Sequence, residues 1–234
     1  SLRQLLDMNN DLPKIFDRAT KTLCEDSLHL CYEATVAPHE MASRALARAS
    51  FLATTMFLEA AANACLDALD ISDNLLNKIE KFPVAQKFEF FAQTEFSKRI
   101  DYSLHTVQNF NELFQVRNRF VHSRAQALEW KSIDDGAFVG AAPTSKSLNI
   151  PLITTYFTAA HAVLSINVCH LFLKYFLIDL CKFNAYSSTA IIFSQVGQPT
   201  TAGMALGPFL YKHMQDWLKK EGVLLGHFEH GFHS

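Results

Sequence analysis

The amino-acid sequence predicts an all-α fold, an antiparallel helical bundle carrying extra helices at its N- and C-terminal ends. Three observations predict it. Apolar residues recur at helical spacing through several long segments, which places them on one face of a helix turning about 100° per residue. Proline or a small polar residue stands where those segments begin, as at Pro13, Ser72 and Pro83. Period-two alternation is scarce, and Ala190-Ile191-Ile192-Phe193 is the best strand candidate.

Taken in order, Asp11-Leu12-Pro13 supplies an N-cap and an early proline for a first helix whose apolar side includes Ile15, Phe16, Ala19, Leu23 and Leu30. It must end before Pro38. A long, Ala-rich second helix is expected from about Glu40 to Leu69, with an apolar stripe through Phe51, Leu52, Thr55, Leu58, Ala62, Leu66 and Leu69. Glu59 is a carboxylate misplaced within that stripe, and Asn63 follows it one turn later. Ser72 can cap a short helix reaching Lys81, and Pro83 opens another whose Phe88, Phe90, Phe91 and Phe96 suit a core better than a base-stacking platform. From Ser103 the pattern is strongest, running through Val107, Phe110, Leu113, Phe114, Val116, Phe120 and Val121. Residues 130–150 lose the period and carry Asp134-Asp135-Gly136, Gly140 and Pro143, the chemistry of a loop or short hairpin. An uncharged helix follows from Pro151 to about Phe183, then a mixed stretch, then a last helix from about Phe209 to Lys220 that Gly222 ends. The organisation expected is an N-terminal helical extension (1–39), a central bundle (40–183) and a C-terminal helix and tail packed on it (184–234).

With 234 residues, 49% of them hydrophobic and 19% charged, the chain can bury a full core. A net charge of -2 argues against a broad basic face for duplex nucleic acid, while leaving room for a local basic pocket. Five cysteines without a C-x-x-C pair are expected to be buried free thiols in a reducing compartment, and Ser1-Leu2-Arg3-Gln4 has no signal-peptide layout, so the expected location is cytoplasmic. The segment from Leu148 to Leu173 has no Asp, Glu, Lys or Arg and is long enough to span a bilayer. Its Asn149, Thr154, Thr155, His161, Ser165, Asn167 and His170 would be costly in lipid, so a buried bundle helix is expected and no membrane partner. His161 and His170 read as hydrogen-bonded core histidines. His227, His230 and His233 form an H-x-x-H-x-x-H run, but Gly226 and Gly231 disfavour a helix that would present them to zinc. A frayed tail is expected there, with no metal site and no cofactor. Neither a P-loop nor a dinucleotide fingerprint, G-x-S-x-G or H-E-x-x-H is present.

The one stretch whose residue types suggest chemistry is Arg117-Asn118-Arg119-Phe120-Val121-His122. On a wheel with Arg117 at zero, Phe110, Leu113, Phe114, Phe120 and Val121 all fall within about 60°, so the arginine emerges from the middle of the apolar face. A guanidinium there needs an anion, because an unpaired buried charge costs several kcal/mol. Glu59 can supply it within the chain, or a phosphate can supply it in a cleft or subunit interface. His122 lies about 140° from Arg117 but about 40° from Asn118, whose amide is placed to orient the imidazole. Imidazole exchanges protons near neutral pH, and a neighbouring arginine stabilises charge on a phosphate. Together they suffice, without a metal, for phosphodiester cleavage by a ribose 2′-hydroxyl.

The hexapeptide resembles the R-N-x-x-x-H form of the R-x(4-6)-H motif of HEPN domains. The helix containing Phe57-Leu58-Glu59-Ala60-Ala61-Ala62-Asn63, the helical spacer and Leu113-Phe114-Gln115-Val116 before the motif are similar to the paired helical hairpins of that family, over roughly residues 40–183. The resemblance implies a bundle that dimerises with its motif helices facing, two Arg/His pairs lining one cleft. It implies a metal-independent endoribonuclease of the kind found in toxin-antitoxin, abortive-infection or RNA-processing systems, or else a non-catalytic RNA-binding, nucleotide-binding or protein-interaction module. His122 would be the general acid/base, Arg117 the phosphate or transition-state ligand and Asn118 the polar residue that follows the arginine. Arg119 and Arg124 fall at variable motif positions, as substrate contacts or as solvated surface arginines. The partners implied are RNA or a nucleotide, a second copy of the chain, and a regulatory protein such as an antitoxin.

Overall fold

Small side chains along the second predicted helix let neighbours approach it from nearly every side, and the fold is built around it. The computed structural model describes residues 19–122, 128–132, 138–194, 207–229 and 231–233. The N-cap and proline proposed for the first helix lie outside them. Helix α1, Thr20–Val36, ends before Pro38, and α2, Glu40–Asp67, returns antiparallel along it. Hydroxyls stitch the hairpin: Ser43 Oγ donates to the Ala34 carbonyl at 2.6 Å and Ser50 Oγ to that of Ser27 at 2.8 Å. Helix α2 buries more than the predicted stripe, with Ala47, Ser50, Ala53, Thr54, Phe57, Ala61, Ala64 and Cys65 enclosed as well. A helix apolar on most sides belongs at the centre of a bundle.

Helix α3, Asp73–Ile79, begins after Ser72, which occupies the N-cap position without a side-chain capping bond. Helix α4, Val84–Phe96, starts after Pro83 and stops at Ser97, whose φ of 54° is left-handed. Helix α5 spans His105–Val121. The phenylalanines are core, as expected: Phe88 and Phe91 of α4 meet Phe176, and Phe110 of α5 stacks on Phe172 at 3.7 Å between ring centroids. Strands β1, Glu129–Ser132, and β2, Phe138–Ala141, pair antiparallel with Glu129 opposite Ala141, so the turn-rich stretch is a hairpin.

The uncharged helix starts later than its first proline suggests. Pro151 is bridged to Thr144, a single 3-10 turn covers Thr154–Tyr156, and α6 runs over Ala159–Lys174. Thr158 and His161 close a reciprocal capping box, the His161 Nδ1 accepting from the Thr158 N–H at 3.0 Å, which fixes the true start. A π-helical turn, Tyr175–Leu180, continues it. The two segments Glu40–Asp67 and Ala159–Leu180 are long and apolar enough to cross a membrane, and 67% and 50% of their most apolar windows are buried inside the bundle.

Ala190-Ile191-Ile192-Phe193 is helix, not strand. It forms the end of α7, Ala185–Phe193, capped by Asn184 Oδ1 accepting from the Ser187 N–H at 2.8 Å, and Ser188 to Phe193 are all buried. A helix buried all round reads as a continuous apolar run, which periodicity cannot separate from a buried strand. The last predicted helix begins with a short strand instead: β3, Phe209–Tyr211, precedes α8, Lys212–Lys220, and Gly222 at φ 71° ends it as foreseen.

Over its described residues the tail is not frayed, and His230 lies outside them. Strand β4, Gly231–His233, pairs parallel with β3, and His227 and Phe228 are each 2% exposed. His227 Nε2 lies 3.2 Å from Nδ1 of His170 on α6, and burial lowers the His170 pKa to about 3. Gly207 permits the close fit, since a Cβ there would stand 1.8 Å from the Glu229 carbonyl oxygen. One apolar cluster runs from Cys24 on α1 to Phe228 in the tail, so α1 and the tail both contribute to the core that α2 organises. All five cysteines are buried free thiols, and burial pushes Cys31 and Cys181 up to about 12.

Candidate functional site

The last two turns of α5 carry the hexapeptide. Val107, Phe110, Leu113 and Val116 form the buried column of the helix, with Phe114 and Phe120 packed beside it. Arg117 stands at the edge of that column rather than at its middle, and Val121, about 40° from it on the wheel, is 51% exposed. The buried strip runs through Val116 and Phe120 toward the end of α5, which the wheel, counting apolar residues alone, does not register.

The guanidinium reaches across to α2, with Nη2 3.4 Å from Glu59 Oε2 and Nη1 donating to Asn118 Oδ1 at 3.2 Å. The Arg117 and Glu59 side chains are 27% and 39% exposed, so this pair sits on the rim, where such bridges contribute about 0–1 kcal/mol. Of the two anions foreseen for Arg117, the carboxylate is in place. The bridge is long and both of its partners stay partly exposed to solvent.

Glu59 also adjoins a residue that sequence reasoning missed. Lys87 on α4 is 2% exposed, and its Nζ donates to Asn63 Oδ1, one turn beyond Glu59, at 2.7 Å. Burial lowers the Lys87 pKa, and the carboxylates of Glu59 and Glu80 work against that. The signal was present: Lys87 lies one turn from both Val84 and Phe91, on the side of α4 that its phenylalanines bury. Glu59, Asn63, Lys87, Arg117 and Asn118 therefore form one polar cluster where α2, α4 and α5 meet.

His122 is the C-cap of α5, at φ −106° and ψ 51°, with its backbone N–H on the Asn118 carbonyl at 2.9 Å and its side chain exposed. Asn118 does not orient the imidazole as expected. Its amide oxygen is taken by the neighbouring Arg117, a charge-assisted donor, while the backbone leaves helical geometry at His122. Among the described residues no side-chain hydrogen bond holds the His122 ring. Arg119 projects from the other side of α5, and Arg124 lies outside the described residues. Within one chain the structure brings Arg117 to Asn118 and Glu59, and it does not bring Arg117 to His122.

A cation fit for phosphate and a free imidazole thus flank the exposed end of one helix. Such a pair can bind a phosphodiester and move protons at it when a substrate bridges the two, or when a second copy brings another pair to the same cleft. No group of three or more His, Cys, Asp or Glu side chains among the described residues is arranged to hold a metal ion. Compared with known proteins, the chain matches no protein-family model, no curated protein and no solved structure.

Proposed function

We propose that this chain is a cytoplasmic, metal-independent endoribonuclease of the HEPN type, acting as a homodimer through the helix that carries Arg117 and His122. The observation that carries the reading is the state of His122. It is exposed at the end of α5, and among the described residues it has no side-chain hydrogen bond and follows an arginine whose anion is a rim carboxylate. In the reaction His122 takes the proton of the ribose 2′-hydroxyl, and the 2′-oxygen attacks phosphorus. Arg117 stabilises the charge growing on the phosphoryl oxygens, and the bond to the 5′-oxygen breaks. An imidazole from the second copy protonates that leaving oxygen, and the product is a 2′,3′-cyclic phosphate. A protein antitoxin or other regulator that covers α5 is the kind of partner such an activity calls for.

The 3.4 Å bridge between Arg117 and Glu59 favours a second reading, a non-catalytic interaction module in which the arginine joins α5 to α2 and His122 has no chemical role. Labelled single-stranded RNA separates the two. Cleavage by wild type that is lost in His122→Ala and Arg117→Ala, with cyclic phosphate at the new end, supports the enzyme. Equal cleavage by wild type and His122→Ala, or none of any RNA tried, leaves only the module.

A further inference from the structure

On the face of α5 away from Glu59, the chain encloses an open cavity of about 440 Å³ between the helix and the loop around residues 144–152. Its wall is prearranged. Glu112 accepts from the Ser147 N–H at 2.9 and 3.0 Å and from the Leu148 N–H at 2.9 Å. Burial raises the Glu112 carboxyl, and the hydrogen bonds from Leu148, Ser145 and Ser147 outweigh it and hold it below the ordinary range. Ser145 Oγ, in turn, accepts from the Ile150 N–H at 3.1 Å. The carboxylate is thereby committed to the loop, and two cations, Arg119 and Lys146, also line the cavity.

Four of the lining side chains are unused. Among the described residues Arg119, Lys146, Asn111 and Gln115 make no hydrogen bond and no ion pair, although all four line this one space. Val116 and Leu152 add apolar surface. The combination is selective: two cations for a phosphate, two side-chain amides able to pair bidentately with a base edge, and an apolar wall for the flat side of a sugar or base. An inorganic anion would use only the first of these, and an apolar ligand only the last.

We infer that this cavity is a nucleotide subsite, taking the phosphate of a ribonucleotide on Arg119 and Lys146 and its base on Asn111 and Gln115. Its position gives it a use. His122 is the C-cap of α5, three residues beyond Arg119, so it stands at the end of the helix nearest that cation. A single strand seated in the cavity would therefore present its next phosphodiester at the imidazole. That use rests on the ribonuclease reading, whereas the site rests on the cavity's own residues.

The test is titration calorimetry of adenosine 3′-monophosphate into the His122→Ala protein, which removes turnover, with adenosine and inorganic phosphate as separate ligands. The nucleotide should bind at least fivefold tighter than either fragment. The double variant Arg119→Gln, Lys146→Gln should weaken it at least tenfold, and Leu152→Trp, which fills the cavity, should do the same while both retain the parent's melting temperature. Undiminished binding in both variants, phosphate binding as tightly as the nucleotide, or no binding to the parent overturns the inference. Binding that depends on Arg119 and Lys146 in a protein whose wild type cleaves no RNA leaves the subsite standing and removes the ribonuclease reading. His122-dependent cleavage with binding indifferent to both variants does the reverse.

Discussion

Two histidine-bearing regions of this protein are opposites in space, and each is the reverse of what its local sequence suggests. His122 follows an apolar helix whose pattern continues into the core, yet it is exposed at the C-cap of α5. His227 sits in a glycine-broken tail that local rules leave in solvent, yet it is 2% exposed and lies 3.2 Å from the His170 ring. The contrast teaches that a glycine-rich tail with poor helix propensity is still recruited when a groove can bury its large side chains. Phe228 rests 4.9 Å from Phe193 between ring centroids, and that burial outweighs the entropy of ordering the tail. One imidazole is accordingly left at the surface and the other is taken up by the core.

Substitution should split them. His122→Ala is expected to reduce cleavage of single-stranded RNA by about 10²-fold or more, the usual contribution of a positioned acid/base, with no change in urea-unfolding midpoint. A parallel fall in stability would mean that His122 is a packing residue like its counterpart. Phe228→Ala should do the opposite and cost about 3–4 kcal/mol by urea unfolding, because a buried phenyl ring is removed from an interface that cannot close fully. A loss below about 1 kcal/mol would show the tail to be dispensable.

Acid should also discriminate between the regions. His170 titrates at about 3 in the fold and near 6.5 when unfolded, so the unfolded chain binds more protons between these values. Its contribution to stability is complete above pH ~6.5 and declines as pH falls toward 3. Unfolding free energy should drop by about 2–3 kcal/mol between pH 7.5 and 4.5, and His170→Asn should flatten that slope. A slope unchanged by the substitution would place the acid sensitivity elsewhere. The smallest effect belongs to the rim of the site: Glu59→Gln should change stability by less than about 1 kcal/mol, since its bridge to Arg117 is partly solvated. A larger loss would make that bridge a structural element and strengthen the module reading.

The helices were legible because their patterns are strong and their stops are local: Pro38 separates α1 from α2, Pro83 precedes α4, and Gly222 at φ 71° ends α8. Where local rules failed, a partner distant in sequence had intervened. Ile191 and Ile192 resembled a strand because α7 is enclosed on most sides, and Phe209 began a strand because residues 231–233 lie beside it. Lys87 went unnoticed because its partner Asn63 is on another helix. The wheel placed Arg117 at the middle of the apolar face and the structure puts it at the edge, because Val116 and Phe120 pull the buried strip away from it.

By itself, then, the sequence determined that the chain is helical, where most of its helices start and stop, and that Arg117, Asn118 and His122 fall within two turns of one helix. Those properties follow from backbone geometry and side-chain periodicity, which act over a few residues. Tertiary structure alone decided that Arg117 meets Glu59, that Asn118 turns to Arg117 instead of His122, that the tail docks through His227 and Phe228, and that Arg119 shares a cavity with Lys146. Each is a contact or a shared space between elements, set by how whole faces pack, and packing is a property of surfaces that no single segment carries.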